Sequence, residues 1–202
     1  MLEMSKIKVV IIDVDGVLTD GIYQISDNGQ VIKTFYTRDF YAINKLISND
    51  IIVGIVTESS DMVIDQKMAM FGYYSEKMIL HRKTRNLSLF SPDIPIVNKK
   101  NLFLLTGVKD KKKSIEEIIV NNNLYGNNIK WDNIAYIGDA ENDLECMKVA
   151  YFTACPIDAI QTIRSESNYI CSYAGGKGCV WELANYILEK RGVESENIKS
   201  KC

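Results

Sequence analysis

Residues 7–21 read Ile7-Lys8-Val9-Val10-Ile11-Ile12-Asp13-Val14-Asp15-Gly16-Val17-Leu18-Thr19-Asp20-Gly21. The run from Ile7 to Ile12 has the β-branched character of a strand buried on both faces. It ends on Asp13, and a second carboxylate follows at Asp15. Two acids spaced by two at a strand end have side-chain directions related by the two-residue repeat. Unpaired, they would repel each other, so their spacing asks for a cation.

Outward from this stretch, short apolar runs alternate with helical periodicity. Ile22–Ser26 and Val31–Thr37 flank Asp27-Asn28-Gly29, a hairpin signal because Asn and Gly accept positive φ. Strands are expected at 51–56, 102–105, 134–137, 151–155 and 169–171. Helices are expected over 40–48, 60–71, 109–121, 141–149, from Pro156 onward, and over 178–189. Residues 75–100 keep no period and carry Pro92 and Pro95, so they read as an insertion. The order predicts an α/β fold: a Rossmann-like parallel sheet with helices on both faces and a β-hairpin flap after the first strand. Residues 1–190 form one domain in this reading, with 75–100 inserted and 191–202 a polar tail.

Composition narrows the function. The chain has 202 residues, 47% hydrophobic and 25% charged, with a net charge of -2. That gives core enough for a folded domain and no basic footprint for nucleic acid. No apolar run approaches the ~18–20 residues of a membrane span, and the N-terminus lacks the apolar centre of a signal peptide. Five cysteines, none in a CxxC pair, suit a reduced, cytoplasmic protein.

Sheets of this type bind ligands beyond the carboxyl ends of their strands. Those ends carry Asp13 and Asp15, then Thr57, then a lysine-rich helix start after Gly107, then Gly138-Asp139-Ala140-Glu141-Asn142-Asp143. Carboxylates, a hydroxyl and an ammonium are the parts of phosphoryl transfer. Asp13 can attack phosphorus and form an aspartyl phosphate. Asp15 can protonate the leaving alkoxide and then deprotonate water. Thr57 and a lysine can hold phosphoryl oxygens. Mg²⁺, which takes one or two carboxylates plus water and phosphate oxygens, fits Asp13, Asp15 and Asp139. Read alone, Thr57 is a strand or cap residue, and Lys112 competes with Lys111 for phosphate. Asp20 can simply shape the turn. Arg38 and Asp39 are equally a surface base and a helix cap.

The set resembles the haloacid dehalogenase superfamily, over most of the chain. Asp13 to Gly21 looks like the first motif of its 3-deoxy-D-manno-octulosonate 8-phosphate phosphatase branch, whose neighbours include the C-terminal domain of animal CMP-sialic acid synthetases. Gly107-Val108-Lys109-Asp110-Lys111 resembles the branch's lysine segment, Gly138 to Asp143 its acidic motif, and Gly175-Gly176-Lys177-Gly178 its glycine-rich segment. The resemblance implies a fold without a large cap and Lys111 as the phosphate-binding lysine. It also implies Asp139 as metal ligand, with Gly138, Asn142 and Asp143 in support. Arg38, Asp39, Glu58, Gly175, Gly176 and Lys177 are candidate substrate contacts. The implied protein is a homotetramer acting on a phosphorylated eight- or nine-carbon keto sugar acid, or a phosphatase-like module serving oligomer assembly. Departures are Phe40 and Ala42 where the branch has Gly, and Glu58-Ser59-Ser60 after Thr57.

Overall fold

The computed structural model describes residues 2–70, 101–121 and 128–193. Six strands form one parallel sheet: β1 Val9–Ile12, β4 Ile52–Val56, β5 Leu102–Leu105, β6 Ile134–Ile137, β7 Phe152–Cys155 and β8 Tyr169–Ile170. Their order is β5-β4-β1-β6-β7-β8, so the strand bearing Asp13 lies between β4 and β6. β2 Tyr23–Ile25 and β3 Val31–Lys33 pair antiparallel as the expected hairpin.

The period of two sorts the sheet's side chains into two cores. Val10, Ile12, Val53, Ile55, Ala135 and Ile137 face one layer of helices. Val9, Ile11, Ile52, Val56, Ile134 and Tyr136 face the other. The first layer holds α1 Thr37–Ser48, α2 Val63–Met70 and α6 Cys179–Lys190. The second holds α3 Lys111–Ile115, α4 Leu144–Met147 and α5 Gln161–Glu166. On α6 the buried positions Val180, Leu183, Ala184, Ile187 and Leu188 follow helical spacing. That helix stops where Gly192 takes φ 77° and Val193 N–H returns to the Leu188 carbonyl.

Several element bounds differ from the sequence expectation. The helix expected at Ser60 opens at Val63, because Asp61 Oδ1 accepts the Val63 N–H and serves as its cap. The helix expected from Pro156 opens only at Gln161. Pro156 instead starts a turn closed by Ala159 N–H, and Ile160 N–H is drawn to the Asp139 carbonyl. The 109–121 helix begins at Lys111, capped by Asp110, and widens to π-helical winding over Glu116–Asn121. The 141–149 helix is a 3₁₀ turn, Glu141–Asp143, followed by α4. The 75–100 insertion lies outside the described residues, as does all but the start of the polar tail. Among the described residues no helix is long and apolar enough to cross a membrane.

Candidate active site

The site grows from the end of β1. Asp13 is the first residue past the strand, and its N–H is tied to the Ile137 carbonyl of β6. The chain then makes a single wide turn, Val14–Leu18, in which Gly16 takes φ 86°. A Cβ built there would overlap the Asp139 carboxylate. Glycine at 16 therefore lets the β1 and β6 loops meet.

Lys111 enters from the first turn of α3. Its Nζ lies 2.8 Å from Asp13 Oδ1 and 2.7 Å from Asp143 Oδ1, with all three side chains buried. Asp143 is fully engaged. Its Oδ1 also accepts from the Tyr136 hydroxyl at 2.6 Å, and its Oδ2 from the Asp139 and Ala140 N–H groups at 3.0 and 3.3 Å. It thereby fixes both the lysine and the turn carrying Asp139. Gly138 makes room, since a Cβ there would strike the Asp143 side chain. Thr57, at the end of β4, is buried, and its hydroxyl accepts the Ser59 N–H at 3.1 Å.

Asp13, Asp139 and Asp143 each offer a carboxylate oxygen within 4.8 Å of the others. Burial, then the Asp143 charge, push the Asp13 carboxyl well up, against the pull of Lys111. Burial and Asp143 also push Asp139 up to about 7. Burial would lower the Lys111 ammonium, but Asp13 and Asp143 outweigh it and hold it raised. Three acids thus stand together around one ammonium, which pairs directly with two of them, Asp13 and Asp143. Asp139 Oδ1 is buried without a protein partner. A hard divalent cation fits this donor set: the ligands are oxygens, one is unsatisfied, and the charge excess is negative.

The other expected residues fall into distinct places. Asp15 is not in this cluster. Its carboxylate turns to Lys33 at 2.8 Å and to the Thr19 hydroxyl at 3.3 Å. Asp39 is buried, and one of its oxygens caps α6, accepting the Trp181 N–H at 2.8 Å. Arg38 is exposed, 5.9 Å from the Tyr36 ring. Glu58 and Asn142 are exposed and joined at 3.0 Å, spanning the mouth between the β4 and β6 loops. Gly175 and Gly176 are buried against the backbone of the Gly16–Asp20 loop, with Gly176 N–H on the Val17 carbonyl. Lys177 is exposed, 3.7 Å from Asp20. The glycine segment therefore braces the Asp13–Asp15 loop from behind.

Two participants escaped the sequence reading. Tyr136 was legible only as a polar ring in an aliphatic strand. Lys33 sits on the hairpin, and its partners Asp15 and Asp61 lie far off in sequence. Burial would lower its ammonium, but these two acids outweigh it and hold it raised.

No family model matches the chain. It is similar to the 3-deoxy-D-manno-octulosonate 8-phosphate phosphatase KdsC of Escherichia coli (strain B / BL21-DE3), 27% identical over 192 residues, 95% of this chain and 85% of the relative. Its fold matches a Legionella pneumophila structure assigned to the haloacid dehalogenase superfamily (subfamily III A) hydrolases, with TM-score 0.74 and 25% identity over 94% of this chain and 86% of that one. It also matches the 3-deoxy-D-manno-octulosonate 8-phosphate phosphatase of Moraxella catarrhalis, solved with magnesium ion, phosphate ion and KDO. There the TM-score is 0.70 and the identity 26%, over 93% and 89% of the two chains.

Proposed function

We propose that this chain, a homologue of haloacid dehalogenase phosphatases, is itself a magnesium-dependent phosphatase of a keto sugar acid monophosphate with eight or nine carbons. The observation that carries the reading is the buried Asp13–Lys111–Asp143 triad, with Asp139 beside it and an oxygen of Asp139 left unsatisfied.

Asp13 and Asp139 would hold the cation, with Asp143 behind them, and when bound it offsets negative charge on the phosphoryl oxygens. An Asp13 oxygen attacks phosphorus in line with the ester oxygen. The new P–O bond forms as the bond to the sugar breaks, and Asp15 gives its proton to the departing oxygen. Lys111 then shares its hydrogen bonds between Asp13 and the phosphoryl group, and the Thr57 hydroxyl donates to a second phosphoryl oxygen. In the second half, Asp15 takes a proton from water as that water attacks phosphorus. Inorganic phosphate leaves and the Asp13 carboxylate is regenerated.

A homotetramer accompanies this reading. Ile22 is 70% and Ile25 67% exposed on the hairpin, with Tyr23 and Ile32 beside them, and such a patch asks for a partner surface. The same patch favours the second reading, an assembly module with little turnover. Against it stands the retained triad, which assembly does not need. The buried thiols Cys146, Cys155, Cys171 and Cys179, none of them bridged, support a cytoplasmic setting.

The test is phosphate release from eight- and nine-carbon keto acid phosphates and from p-nitrophenyl phosphate, with Mg²⁺ and with EDTA. Turnover is expected with Mg²⁺ alone, and Asp13→Asn should lower it by about 10³-fold or more. Folded wild type inert to all three esters with Mg²⁺ overturns the enzyme in favour of the module.

A further inference from the structure

A hairpin with exposed apolar residues on both strands nevertheless sends one lysine inward. The Lys33 side chain is 4% exposed. Its ammonium lies 2.8 Å from Asp15 Oδ1 and 2.9 Å from Oδ2, so it holds both oxygens of one carboxylate. It also lies 2.7 Å from Asp61 Oδ2 and 3.3 Å from Ser59 Oγ, on the loop that follows β4. Ser59 and Asp61 are themselves hydrogen bonded through their side chains. The lysine thus joins three segments: the hairpin, the Asp15 turn and the Thr57 loop.

Burying an ammonium is costly, and a surface hairpin gains nothing in solubility by hiding one. Docking the hairpin alone would need only the Asp61 half of the contact. The Asp15 half does something else. Asp15 is about one-third exposed, and of the two side chains that grip it, Thr19 touches a single oxygen. Lys33 fixes the carboxylate's rotation and holds it apart from the Asp13–Asp139–Asp143 cluster.

We propose that Lys33 is a positioning residue for hydrolysis: it orients Asp15, so the docked hairpin sets where the proton-carrying carboxylate stands. The inference rests on the phosphatase reading above and extends it to a residue that touches neither phosphate nor cation. A group that acts only by holding another should change turnover without changing substrate affinity. Its loss should also stop mattering once the held group is gone.

The experiment is a double-mutant cycle of Lys33→Met and Asp15→Asn, read on p-nitrophenyl phosphate. Its leaving group departs without a proton, so the cycle reads Asp15 as the base that takes a proton from water in the second half. Lys33→Met should lower kcat by about 10–100-fold in the wild-type background, with KM and the Mg²⁺ half-saturation within about threefold. In the Asp15→Asn background the same change should cost less than about threefold. Lys33→Gln, which keeps a donor of similar reach, carries the cycle if methionine unfolds the protein. Equal falls in both backgrounds, or a rise in KM with kcat unchanged, overturn the positioning role and leave the phosphatase intact. Wild type inert to the ester overturns the phosphatase reading, and this inference with it.

Discussion

Gly16 has no side chain, and the space where one would begin is filled by the Asp139 carboxylate. Two costs of Gly16→Ala can be separated. Forcing alanine to φ 86° costs about 1–2 kcal/mol of stability. Pushing the Asp139 carboxylate aside costs little in folding, because it is the far end of a side chain, but it moves the atom that would bind the cation. Gly16→Ala should therefore melt only a few degrees lower, while its Mg²⁺ affinity by calorimetry falls about 10-fold or more. A folded variant with wild-type affinity would remove Asp139 from the metal site. At this scale the sequence was readable wherever chemistry follows a strand end. Asp13, Thr57, Lys111 and Asp139 all do, and the sheet brings their strands together. Lys33 was not readable, because its meaning lies in a pairing with Asp15 across 18 positions. Spacing gives a side chain's starting direction but not its partner.

At the scale of elements, the junction of α1 with α6 carries an acid that the fold hides. Asp39 Oδ1 accepts the Trp181 N–H, while Oδ2 is buried without a partner. Burial pushes its carboxyl up to about 6, against the N–H groups at the start of α6. The folded protein thus keeps this proton up to about pH 6, whereas the unfolded chain releases it near 4. Asp39's favourable share of stability is complete below about pH 4 and is lost as pH rises through about 6. Asn at 39 does not titrate. The stability of Asp39→Asn relative to wild type should therefore climb between pH 4 and pH 8, by up to about 3 kcal/mol. Denaturant melts at the two pH values check this, and a pH-independent difference would contradict it. Element types were legible because the periods of two and 3.6 are strong here. Their starts were less so. Ser60 and Pro156 both look like openings, but Asp61 captures the first helix start and the Asp139 carbonyl holds the turn ahead of the second.

At the scale of the molecule, parallel alternation was enough to predict one sheet between two helical layers, and that is the architecture seen. It could not give the strand order, since the same alternation is compatible with several. The order decides how the protein is made. Within this sequence β1 precedes the other strands of its sheet, yet it ends up with neighbours on both sides, and those neighbours lie at 52–56 and 134–137. A growing chain that has not reached the second of them carries an aliphatic edge with its amides unpaired. A fragment ending at residue 130 should therefore collect in inclusion bodies or be degraded, whereas one ending at 193 should be soluble. Fractionating cells that express the two lengths would show whether synthesis waits so long for its central strand to be closed.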